Sequence, residues 1–379
     1  MADSDNPPAS ERKARRSPAA TATEAPTIAE PPGGRDEGRG GRWRRRRSAS
    51  APVDEARPEG DPPPRRSWRD RADRWQRGKF VIIAAMALSA MMLLHSRIPN
   101  AIGNLGSLVQ TFMPWFGLLV PVLLLSALLS RSITAVAAVT VSALVWMNLF
   151  AGLLVDKTGE GGALTVVSHN VDAGNPDPTA TARQLMESDA DLIALQEMPR
   201  GELALYAATL GEEYPYSAVE GTVGVWSRHP LADTEPVDIG LGWTRALRTT
   251  ATVPEFGDMA VYVAHLPSVR VQFRAGFTAG QRDDSADRLA RAIADDPHER
   301  AILLGDLNGT MNDRALAPLT SQLRSTQGAA GAGFGFTFPS EFPLTRIDHI
   351  LVRELVPVSS WSLPGTGSDH RPVAARLDP

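Results

Sequence analysis

Between Phe80 and Val155 only Arg97 and Arg131 are formally charged, and no other interval limits the architecture of this chain so strongly. It divides into three apolar stretches: Phe80 to Leu94, Phe112 to Ser130, and Ser132 to Val155. A helix needs about 20 apolar residues to cross a bilayer. The second and third stretches meet that length directly, and the first meets it with flanking residues. The pattern predicts three transmembrane helices within residues 79–156, at about 80–96, 112–130 and 132–155. As a cleaved signal, the first stretch would carry a basic leader of 79 residues, whereas a whole signal peptide runs to roughly 15–30. Read instead as a short core helix, it would reverse the topology.

Charge orients these helices. Residues 1–79 hold 19 Lys+Arg against 13 Asp+Glu, including the run Arg42, Arg44, Arg45, Arg46 and Arg47. Residues 1–78 are rich in Pro, Gly, Ser and Arg, too poor in aliphatic side chains to offset the entropy of ordering, and read as a disordered basic tail. Trp68 and Trp75 among arginines, just before the first apolar stretch, suit a headgroup layer. The basic flank and the turn at Arg131 then belong in the cytoplasm, and three crossings put the C-terminal domain outside. A linker at 157–162, preceded by Asp156, spans at most about 24 Å for its seven residues, so the domain lies close to the bilayer. Ala, Gly and Pro are abundant and only three basic residues are lysines, which suggests a GC-rich, actinobacterial genome.

Residues 163–379 alternate between strand and helix patterns. "ALTVVSHN" and "ADLIALQE" read as buried strands around the amphipathic helix of "PTATARQLMESD"; "GVWSR", "RALRTTATV" and "MAVYVAHL" read as further strands. A helix over "RDDSADRLARAIADD" leads into the strand "RAILLGD", and "TRIDHILVR", "PVSSWSL" and "RPVAARL" close the chain as strands. This is an α/β domain large enough for one substantial core.

Its chemistry sits where the strands end. Asn170 and Asp172, Glu197, His265, Asp306 and Asn308, Asp348, and Asp369 with His370 all border an apolar strand. Singly, each has an ordinary explanation: Asp-x-Asn in a turn bonds its own backbone, and a lone His is commonly a satisfied structural residue. Strand ends pointing one way, however, converge on a single crevice. Its oxygen ligands suit Mg²⁺ or Mn²⁺, and with no cysteine in the chain a thiolate metal site is excluded. Imidazoles beside such a cation suit phosphoryl transfer to water. His169 and His349 adjoin these motifs but should face the other side by strand alternation. Arg245, Arg282 and Arg346 are conceivable phosphate contacts, against the simpler reading of surface solvation.

The ordered set "HNVDAG", "LQE", "AHLP", "GDLN", "RIDHIL" and "SDHRP" resembles the endonuclease/exonuclease/phosphatase superfamily, the DNase I-like fold, across nearly all of 163–379. The resemblance implies a four-layer α/β/β/α sandwich and a divalent-metal-dependent phosphoester or pyrophosphate hydrolase. It implies Glu197 as main metal ligand, with Asn170, Asp172 and Asp369 on the metal side. Asp306 would orient or deprotonate water, while Asn308 and His265 hold phosphate oxygens. Asp348 would fix His370, which clamps phosphate or acts as a base. Three spans followed by such a domain are also similar to actinobacterial membrane proteins linked to teicoplanin resistance.

Charge narrows the substrate. Residues 156–379 carry 18 basic and 30 acidic side chains, a net of −12, whereas a general nuclease must neutralise several phosphates. The expectation is therefore an extracytoplasmic enzyme of the plasma membrane acting on an envelope lipid phosphate or pyrophosphate. The alternatives are an anchored extracellular nuclease and a non-catalytic envelope-binding module.

Overall fold

A strand covered on both faces needs an unbroken apolar run. Two such runs, Leu164–Asn170 (β1) and Leu192–Gln196 (β2), lie parallel and adjacent in the computed structural model, which describes residues 78–100, 103–272 and 276–379. The basic tail predicted for 1–78, with Trp68 and Trp75, lies outside the described residues apart from Gly78.

Around β1 and β2 the first sheet adds Tyr216–Glu220 (β3), Val223–Ser227 (β4), Val356–Ser362 (β13) and Val373–Asp378 (β14), in the order β13-β14-β1-β2-β4-β3. The second contains Leu231–Pro236 (β5), Ala246–Val253 (β6), Gly257–His265 (β7), Ala301–Asp306 (β10), Arg324–Ser325 (β11) and Asp348–Arg353 (β12), in the order β11-β12-β10-β7-β6-β5. Between β7 and β10 the short strands Arg270–Gln272 (β8) and Gly276–Thr278 (β9) form a separate pair. Only β1 with β2 and β7 with β10 run parallel; the other neighbours are antiparallel.

Inner faces of the two sheets meet in a core that includes Val166, Leu192, Val225, Val261, Ile302 and Leu304. Helices cover the outer faces. Pro178–Met186 and Leu203–Leu210 pack on the first sheet, with Ala182, Leu185, Tyr206 and Leu210 buried. Gly280–Ala294 packs on the second through Ala286, Leu289, Ala290 and Ile293, at the three-to-four spacing of one helical face. This is the expected α/β/β/α sandwich. The helix at Leu203–Leu210 and the strands β3, β5, β8 and β9 are additions to the sequence reading.

The apolar interval differs more from expectation. It holds the helices Lys79–Leu93 (α1), Leu105–Thr111 (α2), Leu119–Leu129 (α3) and Ile133–Leu154 (α4), with a 3₁₀ segment at Met113–Leu118. Among the described residues α4 alone is long and apolar enough to span by itself; α2 and the following 113–129 segment qualify only as a pair bent by 64°. At 1.5 Å per residue, the 15 residues of α1 rise about 22 Å, against about 30 Å of bilayer hydrocarbon. Three full-length spans are therefore not observed. Pro114 opens the 3₁₀ segment and cannot donate a backbone bond, which accounts for the break near 112. Small residues let the helices approach: Ala85, Ala127, Ala135 and Ala138 are buried between them, and Ser89 shares a hydrogen bond with Ser142 at 2.9 Å.

This apolar bundle is tied to the sandwich. Trp115 Nε1 donates to Leu344 O at 2.8 Å, and its ring stacks on Phe336 at 5.7 Å. Phe334 meets Trp146 and Phe150 from α4. Ser107 and Gln110 of α2 are fully buried and bond to Asp313 and to the Arg314 backbone. Even the linker is held: Gly159 N donates to Val358 O at 2.7 Å and Lys157 Nζ reaches Gly328 O.

Candidate active site

Register converts separate strand ends into one site. Asp306 ends β10 opposite His265, which ends the parallel β7, and opposite Asp348, which begins the antiparallel β12. Asn170 ends β1 beside Gln196, and Glu197 follows directly with a left-handed φ of 63°. The glycine of "GDLN" is required by the close approach of β7: a Cβ on Gly305 would stand 1.9 Å from Ala264 O.

Asn170 joins the sheets. Its Nδ2 donates to Glu197 Oε2 at 3.1 Å and to Asp306 Oδ2 at 3.0 Å. His265 Nε2 is 3.7 Å from Glu197 Oε2 and 3.6 Å from Asp306 Oδ2, while its buried Nδ1 has no partner among the described residues. His370 Nδ1 bonds the Asp348 carboxylate at 2.9 Å, and its Nε2 faces Asp306 at 3.9 Å and Asp369 at 3.8 Å. Ser368, which opens "SDHRP", completes the junction: its hydroxyl donates to Asn170 O at 2.7 Å and accepts from His370 N at 3.0 Å.

Burial and charge set the proton inventory. Burial raises the Asp306 carboxyl to about 7, with Asp348 adding to the shift and His370 opposing it. Burial also opposes charge on His370, but the Asp348 carboxylate, with Asp306 and Asp369, outweighs it and raises the imidazole to about 10. In return, His370 overcomes the burial of Asp348 and holds that carboxyl below its usual range. Burial, then Arg245 and His370, push His265 well below its ordinary value, so it is neutral at pH 7.

Asn170, Glu197, His265, Asp306 and His370 line one cleft of about 660 Å³, together with Asp172, Arg245, Asn308 and Asp369, whereas Asp348 and Ser368 support it without lining it. Some positions differ from their expected parts. Asn308 donates its amide to Leu266 O and to Asp306 Oδ2, at 2.9 and 3.0 Å, so it braces Asp306 instead of offering a free amide to phosphate. Asp172 accepts from Gly174 N and Asp369 stands beside His370, whereas Glu197 groups with Asn170 and His265. Arg245 lines the cleft, stacks over Trp243 and has a buried Nε without a partner among the described residues. Arg282 is neither solvated nor in the cleft: it is 1% exposed and bonds Asp313, Asp283 and Asn308 O beneath the "GDLN" turn. Arg346 is also buried, with Nη1 on Gly335 O. His169 bonds Thr366 and His349 bonds Gly309 O, both away from the cleft. Sequence reasoning missed Ser368, which the motif itself contains, and the cleft-lining Thr111, Phe112 and Trp243, which no local pattern marks.

A divalent cation fits these residues. Buried ligand atoms of Asp306, Asp348 and His370 lie within 4.8 Å of one another and could hold an ion. The Nδ1 of His370 is already engaged by Asp348, so the freer donors lie on the Glu197 and Asn170 side, where two carboxylates converge on one amide.

A sandwich of two mixed sheets, with acids, amides and imidazoles gathered at the shared strand ends, defines a phosphoester-hydrolase architecture. The chain belongs to the Endonuclease/Exonuclease/phosphatase family, whose model matches residues 167–370, and members of this family are hydrolases of phosphate esters. Among solved structures it is similar to the endonuclease/exonuclease/phosphatase from Beutenbergia cavernae: 19% identity, TM-score 0.45, covering 57% of this chain and 71% of that one. It is also similar to a mannosyl-6-phosphatase from Bacteroides thetaiotaomicron, at 17% identity and TM-score 0.48, covering 57% and 99%. A family protein from Bacteroides vulgatus shows 17% identity and TM-score 0.48, covering 57% and 98%. No curated protein matches the chain.

Proposed function

We propose that this protein is a membrane-anchored hydrolase, dependent on Mg²⁺ or Mn²⁺, whose cleft faces the outside of the plasma membrane and acts on an envelope lipid phosphate or pyrophosphate. One observation carries the reading: Thr111, which ends α2, and Phe112, which follows it, line the same cleft as Asn170, Glu197, His265, Asp306 and His370. Exposed Leu125, Leu129, Ile133 and Leu144 on those helices suit a lipid surround. The positive-inside pattern supports an external domain, and Gln110 and Trp115, ahead of α3, bond the domain, as expected if both lie on one side of a bilayer. A link to teicoplanin resistance belongs to the same proposal and rests on the likeness of this helix-and-domain arrangement.

In the reaction, a bound divalent cation supplies charge neutralisation at the phosphoryl group. Glu197 and Asn170 would hold it. Asp306 is poised near neutral pH to accept the proton of an attacking water, and Asn308 and Asn170 fix the direction of its carboxylate. His370, kept charged by Asp348, offers Nε2–H to a phosphoryl oxygen, as does the cationic Arg245. Neutral His265 contributes a hydrogen bond from within the cleft floor. The net charge of −12 over residues 156–379 counts against a long polyanion, so a nuclease is the outcome to exclude. Purified protein should release phosphate from isoprenyl pyrophosphate and leave plasmid DNA intact. Plasmid cleavage without lipid turnover overturns the substrate class, and a reporter after Pro379 that is active only in the cytoplasm overturns the topology.

A further inference from the structure

The cleft lining is of two kinds. Beside its ionic groups it has an apolar part, its wall, to which Phe112 and, from the sandwich, Leu344, Ile347, Val269 and Trp243 contribute. Phe112 caps α2 and precedes the 3₁₀ segment. Its flanks are pinned to the sandwich. On one side Gln110 bonds Arg314 N and Thr310; on the other Trp115 bonds Leu344 O, the neighbour of Phe112 in the wall. A ring held from both sides is a fixed part of the cleft, not a passing contact of a tether.

Further apolar side chains are exposed on both the bundle and the sandwich. Leu118 and Leu119 lead into α3 at 61% and 46% exposure, and Trp243 and Phe342 project from the sandwich at 56% and 70%. A phosphate ester of a sugar would leave this wall uncovered. One esterified to a hydrocarbon chain would place its head on the Asp306 floor and its chain along the wall, removing apolar area from water.

We propose that Phe112 is a specificity-determining residue that seats the hydrocarbon part of a lipid-linked phosphate, which makes the segment between the apolar helices part of the substrate site. This rests on the hydrolase reading above. The test uses the full chain in detergent, with butyl, decyl and hexadecyl phosphates and the matching pyrophosphates. The ratio of kcat/KM for hexadecyl over butyl substrate should fall about tenfold in Phe112→Ser and recover in Phe112→Leu. A ratio unchanged in Phe112→Ser, or an equal loss on both substrates, overturns the assignment. If no substrate turns over, the hydrolase reading fails, and equilibrium binding of hexadecyl against butyl phosphate decides the inference. A chain-length preference lost in Phe112→Ser upholds it; one retained overturns it.

Discussion

Arg282 offers a severe quantitative test, because its surroundings fix the size of the effect. Its guanidinium is 1% exposed and bonds Asp313 at 2.6 Å, Asp283 at 2.7 Å, Asn308 O at 2.9 Å and Ser107 at 3.4 Å. It thus clasps the "GDLN" turn, the following loop and α2 together. The fit is close: a Cβ on Gly309 would stand 2.1 Å from Nη1. Arg282→Met keeps the apolar stem but strips Asp313, equally buried, of its only cation among the described residues. Breaking a buried pair from one side costs about 3–5 kcal/mol, whereas an exposed pair is worth about 1 kcal/mol or less. With roughly 2–4 °C per kcal/mol for a domain of this size, the melting temperature should fall by about 10 °C. Thermal unfolding of the detergent-solubilised chain measures this, and Arg282→Met/Asp313→Leu should recover part of the loss. A drop under about 3 °C, or a double variant that merely adds two penalties, refutes the buried clasp.

Other expectations follow from the same geometry. Asp306→Asn cannot take a proton, so kcat should fall by about 10²–10⁴ in folded protein, and the melting temperature should fall too because one side-chain oxygen that accepts is replaced by a donor; wild-type rates would remove Asp306 from the chemistry. In metal-free protein, His370 should titrate near 10 by NMR and fall toward its ordinary value in Asp348→Asn. Because the folded value is raised, its contribution to stability is complete below about 6.5 and disappears as pH rises through about 10. A His370 that titrates normally in wild type would contradict the dyad. Gly305→Ala should force β10 from β7 and lower stability by about 1–3 kcal/mol or more, measured by urea unfolding; a neutral substitution would contradict the strand spacing.

Much of the site was legible because each polar residue follows an apolar run, and sheet register turns chain order into proximity. Asp306 after "AILLG" and His265 after "VYVA" meet because β10 and β7 pair in parallel. Alternation along β1 and β12 separated His169 and His349 from the cleft for the same reason. Other features had no local signal. In sequence Arg282 belongs to a charged helix start that reads as solvated; only its pairing with Asp313 and the approach of Ser107, 175 residues earlier, bury it. Phe112 reads as the first residue of a span, yet the break before Pro114 turns it into the cleft. The shortened α1 was likewise hidden, since hydropathy records apolar length but not where a helix stops.

The most direct test of the account is phosphate release by the purified full chain from isoprenyl pyrophosphate and long-chain alkyl phosphates, with Mg²⁺ or Mn²⁺ and with EDTA, beside Asp306→Asn. The account predicts turnover that needs the cation, stops in EDTA and is lost in the variant. Equal release with and without metal, or equal release by Asp306→Asn, would contradict it.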